Sequence, residues 1–170
     1  INKMPYHGTT RTGSTSSLVT DSAASGTAIA CGEKTYNGAI GIAKDGKRRL
    51  VSVAEVAKKK GMKVGIITTV TINHATPAAF YAHRPNRGQY YEIGLDLIAS
   101  GFDFFAGGGV AKANNKKSKL YKGDINDLAK KAGYTVLTRN DDFSVLSSRK
   151  GKVLINVPLP YAIDRAGDDP

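Results

Sequence analysis

Apolar, β-branched runs alternate with segments of helical period along most of this 170-residue chain, and such an alternation leaves few folds open. The run KVGIITTVT at residues 63–71 predicts a buried strand, and FDFFA at residues 102–106 predicts a second one. Strands that alternate with helices favour parallel pairing with right-handed crossovers. The chain is therefore predicted to be an α/β protein, with a mostly parallel β-sheet and helices on both faces.

Helix signals stand between and after these strands. Ser52 and Glu55 have the spacing of a capping box, and Val53, Val56 and Ala57 lie on one face of the helix that they open, which ends at Gly61. Apolar residues keep helical spacing again up to Gly101, and once more in the segment that follows Asp124. Strands are predicted at residues 134–138 and 152–157, joined by the short segment 141–147.

The chain is strongly basic, with 25 Lys and Arg against 14 Asp and Glu and a formal charge of +11. Such an excess attracts anions of several classes, so a basic anion-binding or nucleic-acid-binding module without catalysis is one open interpretation. The most basic run, at residues 112–122, is predicted to be a solvated loop because like charges repel. It contains one aromatic residue, whereas single-strand binders combine bases with several stacking rings. No stretch approaches the roughly 20 apolar residues of a membrane helix.

Three further residues are predicted to have no part in catalysis. Cys31 is the only cysteine, so it cannot form an internal disulfide, and it is predicted to be a small buried hydrophobe. His83 is predicted to be structural and His7 to be exposed.

The segment TDSAASGTAIACG, residues 20–32, contains almost no bulky side chain near its start. Small residues leave space for a tetrahedral group, and the start of a helix favours an anion, so a phosphate beside Ser22 is one interpretation. Asp21 is too close in sequence to act as a simple general base for Ser22, but it could orient a cation that binds the phosphate. In the alternative interpretation, Asp21 or Ser22 is an ordinary N-cap of an alanine-rich helix.

A longer string, VTDSAASGTAIACGEKTYNGAIG at residues 19–41, closely resembles the nucleophile segment of the alkaline phosphatase family. HATPAAFYAHRPNR at residues 74–87 resembles the family stretch that holds a magnesium ligand and a phosphate-binding arginine, and FDFFAGGG at residues 102–109 resembles a third element. The resemblance implies an alkaline-phosphatase-like fold and hydrolysis of phosphate monoesters through a phosphoserine intermediate. A sulfatase is a weaker option, since Cys31 lacks the proline-containing signature of those enzymes.

By this resemblance Ser22 is the nucleophile and a metal ligand, Arg87 binds two phosphate oxygens, and Asp21 holds Arg87 through an ion pair. A guanidinium fork suits two phosphate oxygens better than an ammonium does. Thr76 corresponds to the hydroxyl ligand of the third metal. His74 agrees with one branch of the family, whereas another branch has aspartate there. An imidazole favours zinc or cobalt over magnesium at that third site.

The resemblance also implies two zinc ions, whose ligands are not recognisable here. The three histidines are not paired at metal-binding spacing, and the family's bridging aspartate on an earlier strand has no counterpart before Tyr6. We therefore expect a single-domain fragment without the first strand and the C-terminal half, inactive when isolated. Its expected parts are a leading loop (1–20), a phosphatase core segment (21–110), a basic loop (111–123) and further αβ units (124–170). The expected whole protein is a periplasmic or extracellular homodimer that binds no nucleic acid.

Overall fold

The computed structural model of the chain describes residues 8–138, 141, 144 and 151–157. The helices in this part are α1 (Ser22–Cys31), α2 (Val53–Lys59), α3 (Ala75–Ala78), α4 (Tyr90–Ser100) and α5 (Ile125–Lys131). The strands are β1 (Gly65–Ile67), β2 (Phe104–Gly107), β3 (Tyr134–Leu137) and β4 (Lys152–Asn156). None of these helices is long and apolar enough to cross a membrane.

The strands form one sheet in the order β1-β2-β4-β3, and every neighbouring pair is parallel. The register places Phe105 opposite Ile66 on one side and Leu154 on the other. Strand β4, the last one among the described residues, thus lies between β2 and β3, which requires crossover connections. The predicted α/β class with a parallel sheet is confirmed.

The first strand is shorter than the predicted run at residues 63–71, because the chain leaves the sheet after Ile67. It then follows the glycines after β2, where the Gly108 amide donates to the Val70 carbonyl and the Ile72 amide donates to the Gly109 carbonyl. A Cβ at Gly107 would lie 2.8 Å from the side chain of Ile72, so this close approach requires glycine. The predicted segment 141–147 falls largely outside the described residues.

Aromatic rings around β2 form the centre of the core. Phe105 is fully buried and meets Tyr81 edge-on, with 5.3 Å between ring centroids, and it stacks on Phe102 at 6.1 Å. The buried hydroxyls have partners, since Tyr81 donates to the Ile72 carbonyl at 2.7 Å and Tyr134 donates to the Phe102 carbonyl at 2.8 Å. These contacts join the start of β3 to the segment before β2, and join Tyr81 to the segment after β1.

Helix α2 has its predicted capping box, but two of the three residues on its apolar face are exposed. Val53 and Val56 are 61% and 41% exposed. The capping side faces the protein instead, because the Ser52 hydroxyl donates to the Phe80 carbonyl at 2.6 Å and Glu55 lies 3.5 Å from His83. These polar contacts turn the two valines outward.

Helices α4 and α5 follow their predicted pattern. Ile93 and Leu97 of α4 are fully buried, and the helix ends at Gly101 in the left-handed conformation. The carboxylate of Asp124 accepts a hydrogen bond from the Asn126 amide at the start of α5. The two helices thus have the capping residues that the sequence predicts.

Candidate functional site

The entry into α1 is fixed by Asp21, which is the N-cap of the helix. Its backbone is extended, with φ −98° and ψ 174°, and its Oδ1 accepts a hydrogen bond from the Ala24 amide at 2.9 Å. Asp21 is therefore an N-cap of α1, and this role uses one of its two carboxylate oxygens. Ser22 follows as the first residue of the helix, where free amides and the helix dipole favour a negative charge.

The second carboxylate oxygen of Asp21 leaves the helix and binds two other segments. Oδ2 accepts from the Gly38 amide at 3.0 Å and from Arg87 Nη1 at 3.1 Å. Burial raises the pKa of Asp21, but the hydrogen bonds from Ala24, Gly38 and Arg87 outweigh this effect and hold the pKa below its usual value. Asp21 is thus an ionised acceptor whose oxygens face three donors.

Arg87 is anchored by its backbone as well as by its side chain. Its amide donates to the Gly38 carbonyl at 2.8 Å, and the preceding Arg84 exchanges two backbone hydrogen bonds with Ile40. The Arg84 guanidinium binds Asp96 through two nitrogens, which fixes this stretch to α4. The side chain of Arg87 is 30% exposed. The guanidinium is held by the protein yet open to a ligand.

His74 is the second partner of the Arg87 guanidinium. Arg87 Nη2 lies 3.2 Å from His74 Nε2. Because arginine has donors only, Nε2 must accept and the ring proton must lie on Nδ1. Burial and the Arg87 charge lower the pKa of His74, which keeps the ring neutral. Nδ1 is itself buried and has no hydrogen-bond partner among the described residues.

Ser22 and Thr76 are less firmly held. Ser22 is half-buried, and no hydrogen bond among residues 8–138, 141, 144 and 151–157 involves its hydroxyl. Thr76 lies on α3, two residues after His74, and is exposed. The structure thus joins Asp21, Arg87 and His74 in one network and places Ser22 next to it. It shows no hydrogen bond from Thr76 to this network within the described part of the chain.

The small residues of α1 are explained in part by helix packing, which the interpretation based on a phosphate did not include. A Cβ at Gly26 would lie 3.1 Å from the Ala79 Cβ and 3.6 Å from the Thr76 carbonyl oxygen. Ala23 and Ala24 are also buried. The close neighbour of this part of α1 is therefore α3.

Metal ligands are sparse in the described part of the chain. It contains no group of three or more His, Cys, Asp or Glu side chains that could hold a metal ion. His83 Nε2 donates to the Leu50 carbonyl at 2.8 Å and lies 3.5 Å from Glu55 Oε2, and this carboxylate raises the pKa of the imidazole. The structure thus holds His83 by polar contacts with Leu50 and Glu55. His7 falls outside the described residues.

Cys31 is at the opposite end of α1 from Asp21, and the basic loop begins at Ala111, whose carbonyl accepts from the Asn73 side chain. Cys31 is predicted to be buried, but the structure shows it half-buried. It is the last residue of α1, and the end of the helix leaves one side of the residue open. Burial, together with Glu55 and Glu33, raises the pKa of the thiol to about 11. In the basic loop, Lys112 has a positive φ of 50° and its Nζ lies 5.5 Å from the centroid of the Tyr90 ring.

Sequence reasoning missed Gly38, whose amide and carbonyl contact both Asp21 and Arg87. Its φ of 90° lies in the region that favours glycine. The Asn-Gly pair at residues 37–38 is a turn signal, and that signal could have identified the position as structurally special. It could not have identified which residues the turn contacts.

Comparison with known proteins identifies the family. The family model described as alkaline phosphatase matches residues 1–136. The alkaline phosphatase of Schizosaccharomyces pombe is 38% identical, and the match covers 92% of this chain and 32% of that protein. Alkaline phosphatase 4 of Bacillus subtilis is also 38% identical, with 89% of this chain and 33% of that protein covered. The chain thus spans about a third of the length of these relatives.

Solved structures agree with this assignment. A variant of TAB5 alkaline phosphatase, in which a histidine is replaced by aspartate and magnesium is bound in the M3 site, is similar with a TM-score of 0.78 and 39% identity. That match covers 92% of this chain and 44% of the other. The alkaline phosphatase of Thermus thermophilus matches with a TM-score of 0.75 and 34% identity over 91% of this chain and 33% of the other. The chain belongs to the alkaline phosphatase family.

Proposed function

We propose that this chain forms the phosphate-binding part of an enzyme that hydrolyses phosphate monoesters. The observation that carries the proposal is the contact between Asp21 and Arg87, 66 residues apart, directly beside Ser22 at the start of α1. Family membership supports the same conclusion. A phosphate next to Ser22 would meet the positive end of the helix dipole and a guanidinium that Asp21 holds in place.

Arg87 supplies the charge that recognises the phosphate. A guanidinium binds two oxygens of one phosphate with geometry that an ammonium cannot reproduce. Nη1 contacts Asp21 and Nη2 contacts His74, so these two neighbours fix the plane of the guanidinium. The 30% exposed fraction leaves the remaining donors open to phosphate oxygens.

Ser22 acts as the nucleophile in this proposal. Its oxygen attacks phosphorus and forms a new P–O bond as the hydroxyl proton passes to solvent, while the ester P–O bond breaks and the leaving oxygen takes the bonding electron pair and a proton from water. Water then attacks the phosphoserine: a P–O bond to the water oxygen forms, the P–O bond to Ser22 breaks, the Ser22 oxygen takes a proton, and inorganic phosphate is released. Asp21 is not the base for this step, because its pKa is held low and its oxygens face three donors.

The metal ions of the family supply the remaining chemistry, by making the serine oxygen and a water molecule better nucleophiles. The described residues do not form a zinc site, so the two zinc ions do not fit this part of the chain. For the third metal, the candidate ligands are His74 and the Thr76 hydroxyl. Nδ1 carries the ring proton while Nε2 accepts from Arg87, so His74 could hold a metal ion only through Nε2, in place of its contact with Arg87. An oxygen donor suits magnesium and an imidazole suits zinc or cobalt, so the identity of that metal depends on which donor dominates.

The phosphate site is tested by calorimetric titration of the chain with inorganic phosphate at pH 8. Arg87→Ala should weaken binding by at least about tenfold, since a charge-assisted pair contributes roughly 1.5–3 kcal/mol. Arg48→Ala is the matched control, because it removes the same charge from an exposed pair with Glu33 and should leave the affinity unchanged. Equal weakening by both substitutions would refute a specific site.

Catalysis is tested with an aromatic phosphate ester, added zinc and added magnesium at alkaline pH. We expect the isolated chain to show almost no turnover, because the described residues lack a zinc site and a free base. Turnover that disappears in Ser22→Ala would support the nucleophile and contradict the inactivity of the isolated chain. Phosphate binding without turnover is the expected combination.

The other interpretation of the positive charge is nucleic-acid binding, and it makes an opposite prediction. Affinity that rests on phosphate contacts with lysines falls steeply as salt rises. Binding of duplex DNA that persists at moderate salt would favour this function.

For the whole protein we infer a homodimer in the periplasm or outside the cell, a proposal that rests on family resemblance alone.

A further inference from the structure

The Asn37 side chain bridges the chain just before α1. Its Nδ2 donates to the Val19 carbonyl at 3.0 Å, and its Oδ1 accepts from the Asp21 amide at 3.3 Å. The two bonds use opposite ends of the carboxamide and span Thr20. The Asn37 amide also donates to the Ser16 hydroxyl oxygen at 3.0 Å. The segment that leads into α1 is therefore held by one residue of another loop.

The next residue extends these contacts to the other half of the site. The Gly38 amide donates to Asp21 Oδ2 at 3.0 Å, and the Gly38 carbonyl accepts from the Arg87 amide at 2.8 Å. Residues 37 and 38 thus bind the main chain of Asp21, its carboxylate and the main chain of Arg87. This short turn thus contacts both residues of the Asp21–Arg87 ion pair, which are 66 residues apart in the sequence.

We propose that Asn37 is a positioning residue, which with Gly38 fixes the separation of Asp21 and Arg87 and the orientation of Ser22 at the phosphate site. The inference rests on the proposed function for its effect on phosphate binding. Asn37 itself does not touch the phosphate in this proposal. It acts through the Val19 carbonyl and the Asp21 amide, where it restricts the path of the chain into α1.

A carboxamide is required for this role. It has one donor and one acceptor end, which match the Val19 carbonyl and the Asp21 amide. In Asn37→Asp both ends accept when the group is ionised, so an oxygen would face the Val19 carbonyl and a second negative charge would lie near Asp21. In Asn37→Ala both hydrogen bonds are lost without an added charge. The two variants separate the loss of hydrogen bonds from the effect of charge.

The first measurement needs no phosphate. Amide hydrogen exchange followed by NMR should show about tenfold faster exchange at Asp21 and Ala24 in Asn37→Ala, because two hydrogen bonds are lost at the entry to α1. The Phe105 amide in the core strand should keep its protection. Asn115→Ala is the matched control, since its side chain bonds a local amide elsewhere. Unchanged protection at Asp21, or an equal loss at Phe105, would refute the inference.

The second measurement is phosphate affinity as a function of pH. Asn37→Ala should weaken binding about five- to tenfold at every pH, and Asn37→Asp should weaken it more at pH 8. As the pH falls toward the usual carboxyl pKa of about 4, protonation of the new group restores a donor, so the ratio of wild-type to Asn37→Asp affinity should decrease. A ratio that is constant with pH and equal for both variants would indicate a merely structural role and refute the inference.

The two measurements keep this inference separate from the proposed function. If Arg87→Ala does not weaken phosphate binding, the proposed site is wrong, and hydrogen exchange still decides whether Asn37 holds Asp21. If Arg87→Ala weakens binding but Asn37→Ala changes it less than about twofold, the site stands and the positioning role is refuted.

Discussion

Asp21→Asn is the substitution that tests most directly how this site is built. Asparagine is nearly the same size as aspartate, so it keeps an acceptor for the Ala24 amide and the cap of α1. In that orientation its NH2 group takes the place of Oδ2, which accepts from the Gly38 amide at 3.0 Å and from Arg87 Nη1 at 3.1 Å. Two donors then face a third donor, and the charge that balances Arg87 is gone.

The expected cost follows from the two lost hydrogen bonds. A bond to a charged group contributes about 1.5–3 kcal/mol, and a neutral one contributes about 1 kcal/mol. The side chains of Asp21 and Arg87 are 23% and 30% exposed, so water screens the pair and favours the lower part of this range. We expect Asp21→Asn to reduce the free energy of unfolding by about 2–3 kcal/mol at pH 7.

Urea unfolding of the chain and its variant measures this difference, with Asp127→Asn, at an exposed residue of α5, as the control for charge alone. The control should stay within about 0.5 kcal/mol of wild type.

The pKa of folded Asp21 is lowered, so its stabilisation is present above the unfolded pKa of about 3.9 and is lost as the pH falls through the folded pKa. The difference should therefore shrink below about pH 4. A difference that is absent at pH 7, or that does not shrink in acid, would refute the reasoning.

Two other substitutions test the packing around the site. Gly26→Val should destabilise the chain by about 1–3 kcal/mol in thermal or urea unfolding, because the added side chain collides with α3. Ile29→Val, on the exposed side of the same helix, is the control and should change the stability little. Equal effects of the two substitutions would contradict the close packing of α1 and α3. Asp103→Asn should cost about 2–3 kcal/mol at pH 7, because Asp103 pairs with Lys58 at 2.6 Å and accepts from the Val64 amide at 3.0 Å. The pKa of Asp103 is lowered, so this stabilisation too should be lost in acid, and a loss that is independent of pH would contradict it.

Local sequence signals predicted the elements of the fold because each signal is satisfied within a few residues. The capping box at Ser52 and Glu55, the cap at Asp124 and the glycine at position 101 all rest on contacts within one helical turn. The buried face of α2 could not be predicted in the same way. Its orientation depends on the contact of Ser52 with the Phe80 carbonyl, 28 residues away, which no local pattern contains.

The site shows the same division between local and distant contacts. The sequence motif predicts that Asp21 and Arg87 meet, and the structure contains that ion pair at 3.1 Å. The motif does not show what holds them, because Asn37 binds main-chain groups through an uncharged carboxamide and Gly38 acts through its own amide and carbonyl. The catalytic roles of Ser22, Asp21 and Arg87 stay predictions until their substitutions are measured.

In the proposed function, the groups that orient Arg87 overlap only in part with the candidate metal ligands. The Arg87 guanidinium contacts Asp21 and His74 and its amide contacts the Gly38 carbonyl, and of these three residues only His74 is also a candidate metal ligand. A charged pair held in this way is ordered before the ligand arrives, so little entropy is lost when phosphate binds. Removal of metal ions should therefore abolish turnover of the whole enzyme while phosphate affinity at Arg87 falls much less. Loss of both properties together on chelation would show instead that the metal ions organise the arginine.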